Sequence, residues 1–346
     1  MTKMIKLSLA AAVAVAGFTT SAAAADLSNT SFSGKVEFEY DMTDNGNDVT
    51  TNTYDLDIDV KAKTKISDTW TSIVVVQADQ NSDVQTGATP MRNKSAVDVP
   101  AMLFQYSNGT TTAKIGRQGG LNATPYFDDE RGDGVIALHT LGSVTLAAAH
   151  VDNVNAAINN EAVTAIAAIG SFGSVNASLW HAEVGELDSN SLNVNSKFGT
   201  VSAALTHTVL NTGAANAEDN TLTKVVVSAP VGPVTLTGAF GVTAEDGGTV
   251  AFNNDASAAF TLDQLSLNGV ADASAMLVAV SGKVGAATAS LALLSGSAGD
   301  TDLAETQVKV AYPLAKALKL TSAYSTATIG DADATIEASV ALEYKF

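Results

Sequence analysis

Apolar and polar side chains alternate with a period of two through most of the chain. From Tyr54 to Lys63 every second residue (Asp55, Asp57, Asp59, Lys61, Lys63) is charged, and those between are apolar or aromatic. Phe32 to Tyr40 alternates likewise, with Val36, Phe38 and Tyr40 on one face and Lys35, Glu37 and Glu39 on the other. In the last segment Ile336, Ala338, Val340, Leu342, Tyr344 and Phe346 share a face opposite Glu337, Glu343 and Lys345. Successive side chains of an extended strand point to opposite sides, so each segment reads as a strand with two unlike faces. Between many of these strands stands a single glycine (Gly142, Gly173, Gly199, Gly232, Gly285) in a short sequence suited to a tight hairpin. Longer polar stretches at 41–52, 79–98, 119–133, 211–220 and 244–273, with shorter ones at 295–302 and 330–334, provide the other connections. Short and long connections therefore alternate, with about eight tight turns and nine loops joining about 18 strands in an up-and-down antiparallel meander; 16 strands remain open. The six prolines fit loops, turns and strand edges. Residues 249–262 are where a further hairpin would hide.

A soluble sandwich also alternates, with its apolar side inward. The strand count exceeds what one sandwich needs, and the faces opposite the apolar ones are densely charged. Aromatic residues fall near strand ends: Tyr40, Tyr54, Trp70, Tyr106, Phe172, Phe198, Tyr312 and Phe346. These features predict an all-β transmembrane barrel, apolar outside and wet inside, with aromatic girdles at the two interfaces. Aromatics make up only 6% of the chain, so the girdles are thin. No apolar run after residue 25 approaches the ~20 residues a membrane-spanning helix needs, which leaves a closed barrel as the way to satisfy every backbone group in lipid.

The first 25 residues follow the order of an export signal. Lys3 and Lys6 precede the apolar run Leu7 to Phe18, and small residues follow from Ser21 to Ala25. Cleavage is expected between about 23 and 26, leaving residues 26–346 as one barrel domain. The chain has no cysteine, so an exported fold must close without disulfides. Acidic residues outnumber basic ones 36 to 18, which excludes nucleic acid as a partner.

Two segments resemble a known family. The ending Leu342-Glu343-Tyr344-Lys345-Phe346 resembles the terminal aromatic signal by which outer-membrane barrels are recognised for assembly, with Tyr344 and Phe346 as its aromatics. The run Lys114-Ile115-Gly116-Arg117-Gln118, followed by Asp128-Asp129-Glu130-Arg131-Gly132-Asp133, resembles the strand end and third loop of general porins. It is most similar to the epsilon-class proteobacterial major outer membrane porins. The resemblance implies a trimer of water-filled barrels in the bacterial outer membrane, assembled by the barrel-assembly machinery and each narrowed by an inward-folded third loop. The Ala- and Gly-rich second half departs from the family pattern.

On this reading residues 119–133 form the constriction. Asp128, Asp129, Glu130, Arg131 and Asp133 would face the wall residues Lys114 and Arg117 across the narrowest point. Glu37, Glu39, Asp55, Asp57 and Asp59 would line the lumen wall, and the excess of acid predicts mild selectivity for cations. The function expected is passive diffusion of ions and small hydrophilic solutes; the alternative is a plugged barrel serving as a surface adhesin or structural protein. Asp128, Asp129 and Asp133 also offer oxygens to a Ca²⁺ ion, although their spacing is not that of an EF-hand. Arg131-Gly132-Asp133 matches the integrin tripeptide, a coincidence common at that length. His139, His150, His181 and His207 fall on four separate strands without metal-ligand spacing and read as lumen or interface residues. With no nucleophile elbow and no phosphate loop, the chain is not expected to be an enzyme.

Overall fold

The computed structural model describes residues 27–46, 50–85, 94–121, 125–128, 130–154, 161–213, 218–252 and 254–346. The expected export signal and Asp129 lie outside these residues. After a short 3-10 turn at Leu27–Asn29 come eighteen strands. They are β1 (Thr30–Asp44), β2 (Thr50–Lys65), β3 (Trp70–Gln85), β4 (Lys94–Ser107), β5 (Thr111–Gln118), β6 (Gly132–Leu141), β7 (Val144–Asp152), β8 (Val163–Phe172) and β9 (Val175–Val184). There follow β10 (Leu187–Phe198), β11 (Val201–Asn211), β12 (Asn220–Val231), β13 (Val234–Thr243), β14 (Ala273–Val284), β15 (Ala287–Ala298), β16 (Thr301–Ala315), β17 (Leu318–Ile329) and β18 (Thr335–Lys345). Each strand pairs antiparallel with its sequence neighbours, and β1 pairs with β18 from Lys35↔Lys345 to Asp44↔Ile336. The sheet is a closed barrel with no free edge, which is what a strand structure in lipid requires.

Strand parity sets the faces. Phe38, Tyr54, Phe104, Ile166, Leu179, Phe240, Met276, Val308, Tyr324 and Leu342 are all exposed on the outside. Register links them from strand to strand: Phe38 lies opposite Leu342, and Phe240 opposite Met276. Trp70, Tyr106, Phe172, Phe198 and Tyr312 crowd toward the rim that carries the tight turns, with Trp70 and Tyr106 in ring contact at 5.4 Å. Tyr40 and Tyr54 (4.9 Å) stand toward the opposite rim.

Eight tight turns, the first described residue Leu27 and Phe346 share one rim, the periplasmic one in barrels of this kind. In the two-residue turns Gly142, Gly173, Gly199, Gly232 and Gly285 come first, each with φ between 62° and 65°. Their follower has negative φ in every case, as a type II′ turn demands. The opposite rim differs from the sequence reading. Two of its nine connections are equally tight, at Gly185-Glu186 and Gly299-Asp300. The polar stretch 295–302 is thus mostly strand, and β1 to β4 run further into 41–52 and 79–98 than expected, with Asp41 and Thr43 continuing the inner face of β1. Residues 249–262 contain no strand among those described. Pro100 lies within β4, where the ladder to β3 skips between Val75 and Gln77 and so needs no donor from the proline.

The seam closes on Gly34. Its N–H donates to the Phe346 carbonyl at 2.9 Å, and the Phe346 N–H donates back at 3.0 Å. A Cβ built on Gly34 would lie 2.1 Å from the Asp59 carbonyl oxygen and 2.8 Å from the Phe346 ring. Gly34→Val is expected to abolish the folded, heat-modifiable form on semi-native gels. Gly238→Val, where a Cβ meets nothing within 4 Å, should leave it intact.

Candidate functional site

The inner faces of β18, β1, β2 and β3 form a continuous charged wall. Register sets Lys35 against Asp59, Glu37 against Asp57, Glu39 against Asp55, and Asp57 against Asp79. Across the seam Glu37 meets Glu343 and Lys35 meets Lys345. Like charges facing each other across a ladder are destabilising, so this wall does not serve the stability of the sheet. The cations present relieve only part of it. Lys35 reaches Asp59 at 3.6 Å and Glu37 at 3.9 Å, while Glu343 is held by Lys319 (3.2 Å) and Lys345 (3.1 Å).

The opposite half of the lumen is lined by apolar residues and covered by two loops. The first joins β5 to β6. It buries Leu121, Tyr126 and Phe127 against the inward-facing Val151, Val163, Ala165 and Trp180. The Tyr126 hydroxyl donates to the carbonyl oxygens of Trp180 (3.3 Å) and Ser189 (3.2 Å). Burial pushes its phenol well above the ordinary range, although the bond to Ser189 acts the other way, so it remains a neutral donor. At the far end of this loop Arg131 donates to Asp98 at 2.5 Å and to Gln77 at 2.7 Å, fastening the loop to the inner side of β3 and β4.

The second loop, residues 244–272, joins β13 to β14 and turns inward. Val250, Phe260, Leu265 and Leu267 pack on the inner-face residues Leu222, Ala275, Leu294, Leu303 and Ala327. Three wall side chains hold it, two of them by its backbone. Lys224 donates to the carbonyls of Ser257 (2.5 Å) and Ala259 (2.6 Å). Glu305 accepts from the N–H groups of Gln264 (3.2 Å) and Leu265 (2.9 Å), and Ser325 accepts from the Gln264 side chain at 2.8 Å. The two loops also bond to each other: Phe252 N–H donates to Tyr126 O, and Ala258 N–H to Pro125 O. Phe127 and Phe252 stack at 4.9 Å. Sequence reasoning missed Lys224, Glu305 and Ser325. A signal was present, since a wet lumen wall has no use for Leu222, Leu294 and Leu303 on its water-facing side.

The residues expected at the constriction separate into two groups. Lys114 is on the inner face of β5, beside Gln118 and near Leu103 and Phe127. Asp128, Glu130 and Arg131 belong to the inward loop, with Glu130 buried. Arg117 and Asp133 are displaced from the lumen position expected for them. They pair with each other at 3.0 Å on the face that carries Met102, Ile115 and Val135, which is the outer one. The reason is parity: positions 114 and 117 of one strand cannot share a side. Asp133, held by Arg117 outside, is also removed from the trio expected for calcium. Glu37, Glu39, Asp55, Asp57 and Asp59 all fall on the inner wall. The four histidines all point outward, opposite the parity of Ile136, Val151, Trp180 and Thr208. Among the described residues one group has the makings of a metal site, His181 with Glu183 and Asp188 on the outer face. The carboxylates address different ring nitrogens, both at 3.5 Å, so they do not converge with one nitrogen on a single point.

Between the charged wall and the loops two cavities follow one another along β1. One, of about 550 Å³, touches Ser33 and Lys35; the other, of about 530 Å³, touches Glu39, Asp41 and Thr43.

Comparison with known proteins agrees with this architecture. The family model described as Campylobacter major outer membrane protein matches residues 2–187. No curated protein matches the sequence. Among solved structures the chain is similar to Pseudomonas aeruginosa OpdQ, with a TM-score of 0.73 and 11% identity over 92% of this chain and 99% of that one. It is similar also to P. aeruginosa OpdK, solved with vanillate (0.72, 14% identity, 92% and 98% covered), and to Acinetobacter baumannii OccAB4 (0.72, 12%, 92% and 98%). At these identities the likeness is one of fold.

The loop anchors can be tested directly. Glu305→Ala removes a charged acceptor from two backbone donors, bonds worth about 1.5–3 kcal/mol each. Amide exchange at 262–267 is expected to rise by orders of magnitude while that of β14 to β17 is unchanged. Unchanged exchange in the loop would show that Glu305 does not hold it.

Proposed function

This chain belongs to the Campylobacter major outer membrane protein family, and on that premise we propose that its barrel is a water-filled, mildly cation-selective pore for passive diffusion of ions and small hydrophilic solutes. Its place is the bacterial outer membrane, and its fold is that of an outer-membrane porin. The observation that carries the proposal is the pairing of an apolar exterior with an inner wall on which Glu37 faces Asp57, Glu39 faces Asp55 and Asp57 faces Asp79 across adjacent strands, with Asp59 on the same face. Such a patch is costly to the sheet and useful to a passing cation. The inward loop between β5 and β6 is the constriction in this reading, with Asp128, Asp129, Glu130 and Arg131 on it and Lys114 on the wall behind. Arg117 and Asp133 brace its two ends from outside. No reaction chemistry is assigned to the site.

The plugged-barrel alternative draws on the same two inward loops. The pair of cavities along β1 favours the pore, since they leave the charged wall open to water. The remaining parts of the proposal extend the reading of the sequence. The export signal is removed near residue 25, Tyr344 and Phe346 present the chain to the assembly machinery, and three barrels associate in the membrane. Chemical cross-linking of native membranes should therefore stop at a trimer.

Bilayer recording in a salt gradient tests the pore. Discrete conductance steps with a reversal potential of cation-selective sign are expected. Changing Glu37 and Glu39 to Gln and Asp55, Asp57 and Asp59 to Asn should move that potential toward the anion side with little change in conductance. Absence of steps would favour the plugged barrel.

A further inference from the structure

The two cavities along β1 carry opposite charge. The one toward the tight-turn rim is lined by Lys35, Lys61, Arg131 and Lys345 against the single acidic side chain Asp59. The one toward the long-loop rim is lined by Glu39, Asp41, Asp263 and Glu337 against the single basic side chain Lys309. Four basic side chains to one acidic thus give way to four acidic to one basic within one lumen. The segregation is built by the strands themselves. On β1 the inner residues read Lys35, Glu37, Glu39, Asp41 away from the tight-turn rim, and on β2 Lys63, Lys61, Asp59, Asp57, Asp55 in the same direction. Each inward loop brings one side chain of the matching sign, Arg131, paired with Asp98, to the basic cavity and Asp263, 3.6 Å from Lys309, to the acidic one. Both loops are fixed to the wall by the bonds described above, so these two charges are held in place.

We propose that the pore is bipolar along its axis and admits zwitterionic solutes in preference to simple ions of the same size. A lone cation is drawn into the acidic compartment and repelled by the basic one, and a lone anion meets the reverse. A solute with an ammonium at one end and a carboxylate at the other satisfies both, provided it travels with the ammonium toward the long-loop rim. Compartments separated by four to six residues of one strand are about 13–20 Å apart, the span of a short extended peptide rather than of a single amino acid. Charged, low-dielectric clefts sustain potentials of several kT, enough to order such a solute and to make the flow of small ions unequal in the two directions. The proposal rests on the pore reading above.

Single-channel recording in symmetric 0.1 M KCl is the first test. Each inserted channel should rectify, passing about twofold more current at one polarity than at the other, as potentials of several kT allow. The asymmetry should fade at 1 M salt, where the screening length falls from about 10 Å to about 3 Å. Replacing Lys35, Lys61 and Lys345 together with Gln should remove it, and so should the separate set Glu39→Gln, Asp41→Asn and Glu337→Gln, whose folding is independent of the first. The second test is liposome swelling with tetraglycine, whose extended length of about 13–14 Å reaches the nearer separation, its N-acetyl derivative and its amide. Tetraglycine is expected to permeate fastest. A linear current–voltage curve at low salt, or an order with the cationic amide first and tetraglycine between, would overturn the bipolar reading while leaving the pore in place. Channels that pass neither current nor peptide would instead remove the pore reading itself.

Discussion

The constraint on which everything else depends is the need of each backbone N–H and C=O to find a partner where no water is available. Eighteen strands meet it by pairing in sequence and returning to the first. The ladder between β1 and β18 is therefore the bond that makes the molecule. Closure dictates the period of two, since each strand then has one side toward lipid and one toward the interior. It also explains why the seam tolerates nothing larger than a hydrogen at Gly34, where the chain end returns to β1 and the Phe346 ring comes to rest.

Closure alone leaves the interior undetermined, and two unlike halves fill it. Under β6 to β17 most inner residues are small or apolar and are covered by the two inward loops, with Lys224, Glu305 and Lys309 among the exceptions. Along β18, β1, β2 and β3 they are charged and left open. The loops thus do more than narrow the lumen. They displace the water path to one side and fix which charges it meets. Lys224 and Glu305, the two ionic residues most deeply engaged with the loop 244–272, act as tethers and are spent on backbone groups rather than on solutes.

Much of this was legible in the chain. Alternation in Tyr54 to Lys63 and in the last eleven residues identified the strands and their faces, and the spaced glycines located the tight turns. The count of eighteen and the inner position of Glu37, Glu39, Asp55, Asp57 and Asp59 followed from the same periodicity. Three things escaped it. The turn at Gly185 lacks the longer polar flanks that mark its rim elsewhere, and the polar flanks of Gly299 belong to β15 and β16. Arg117 and Asp133 were grouped with Lys114 by proximity in sequence, against the parity that separates them. The inward course of 244–272 depends on contacts between Phe260 or Leu267 and wall residues thirty or more positions away, which no local pattern reveals. The compensating hint, apolar residues on a face that should be wet, becomes visible only when both are considered together.

The claim beneath the whole account is that adjacent residues of one strand face lipid and water in turn. Nitroxide labels placed singly at positions 36 to 41 of the protein in bilayers test it most directly. Labels at 36, 38 and 40 should collide freely with oxygen, which concentrates in lipid. Those at 37, 39 and 41 should collide with a water-soluble nickel complex, giving two accessibility profiles exactly out of phase. Profiles that rise and fall together, or apolar positions shielded from both reagents, would contradict it.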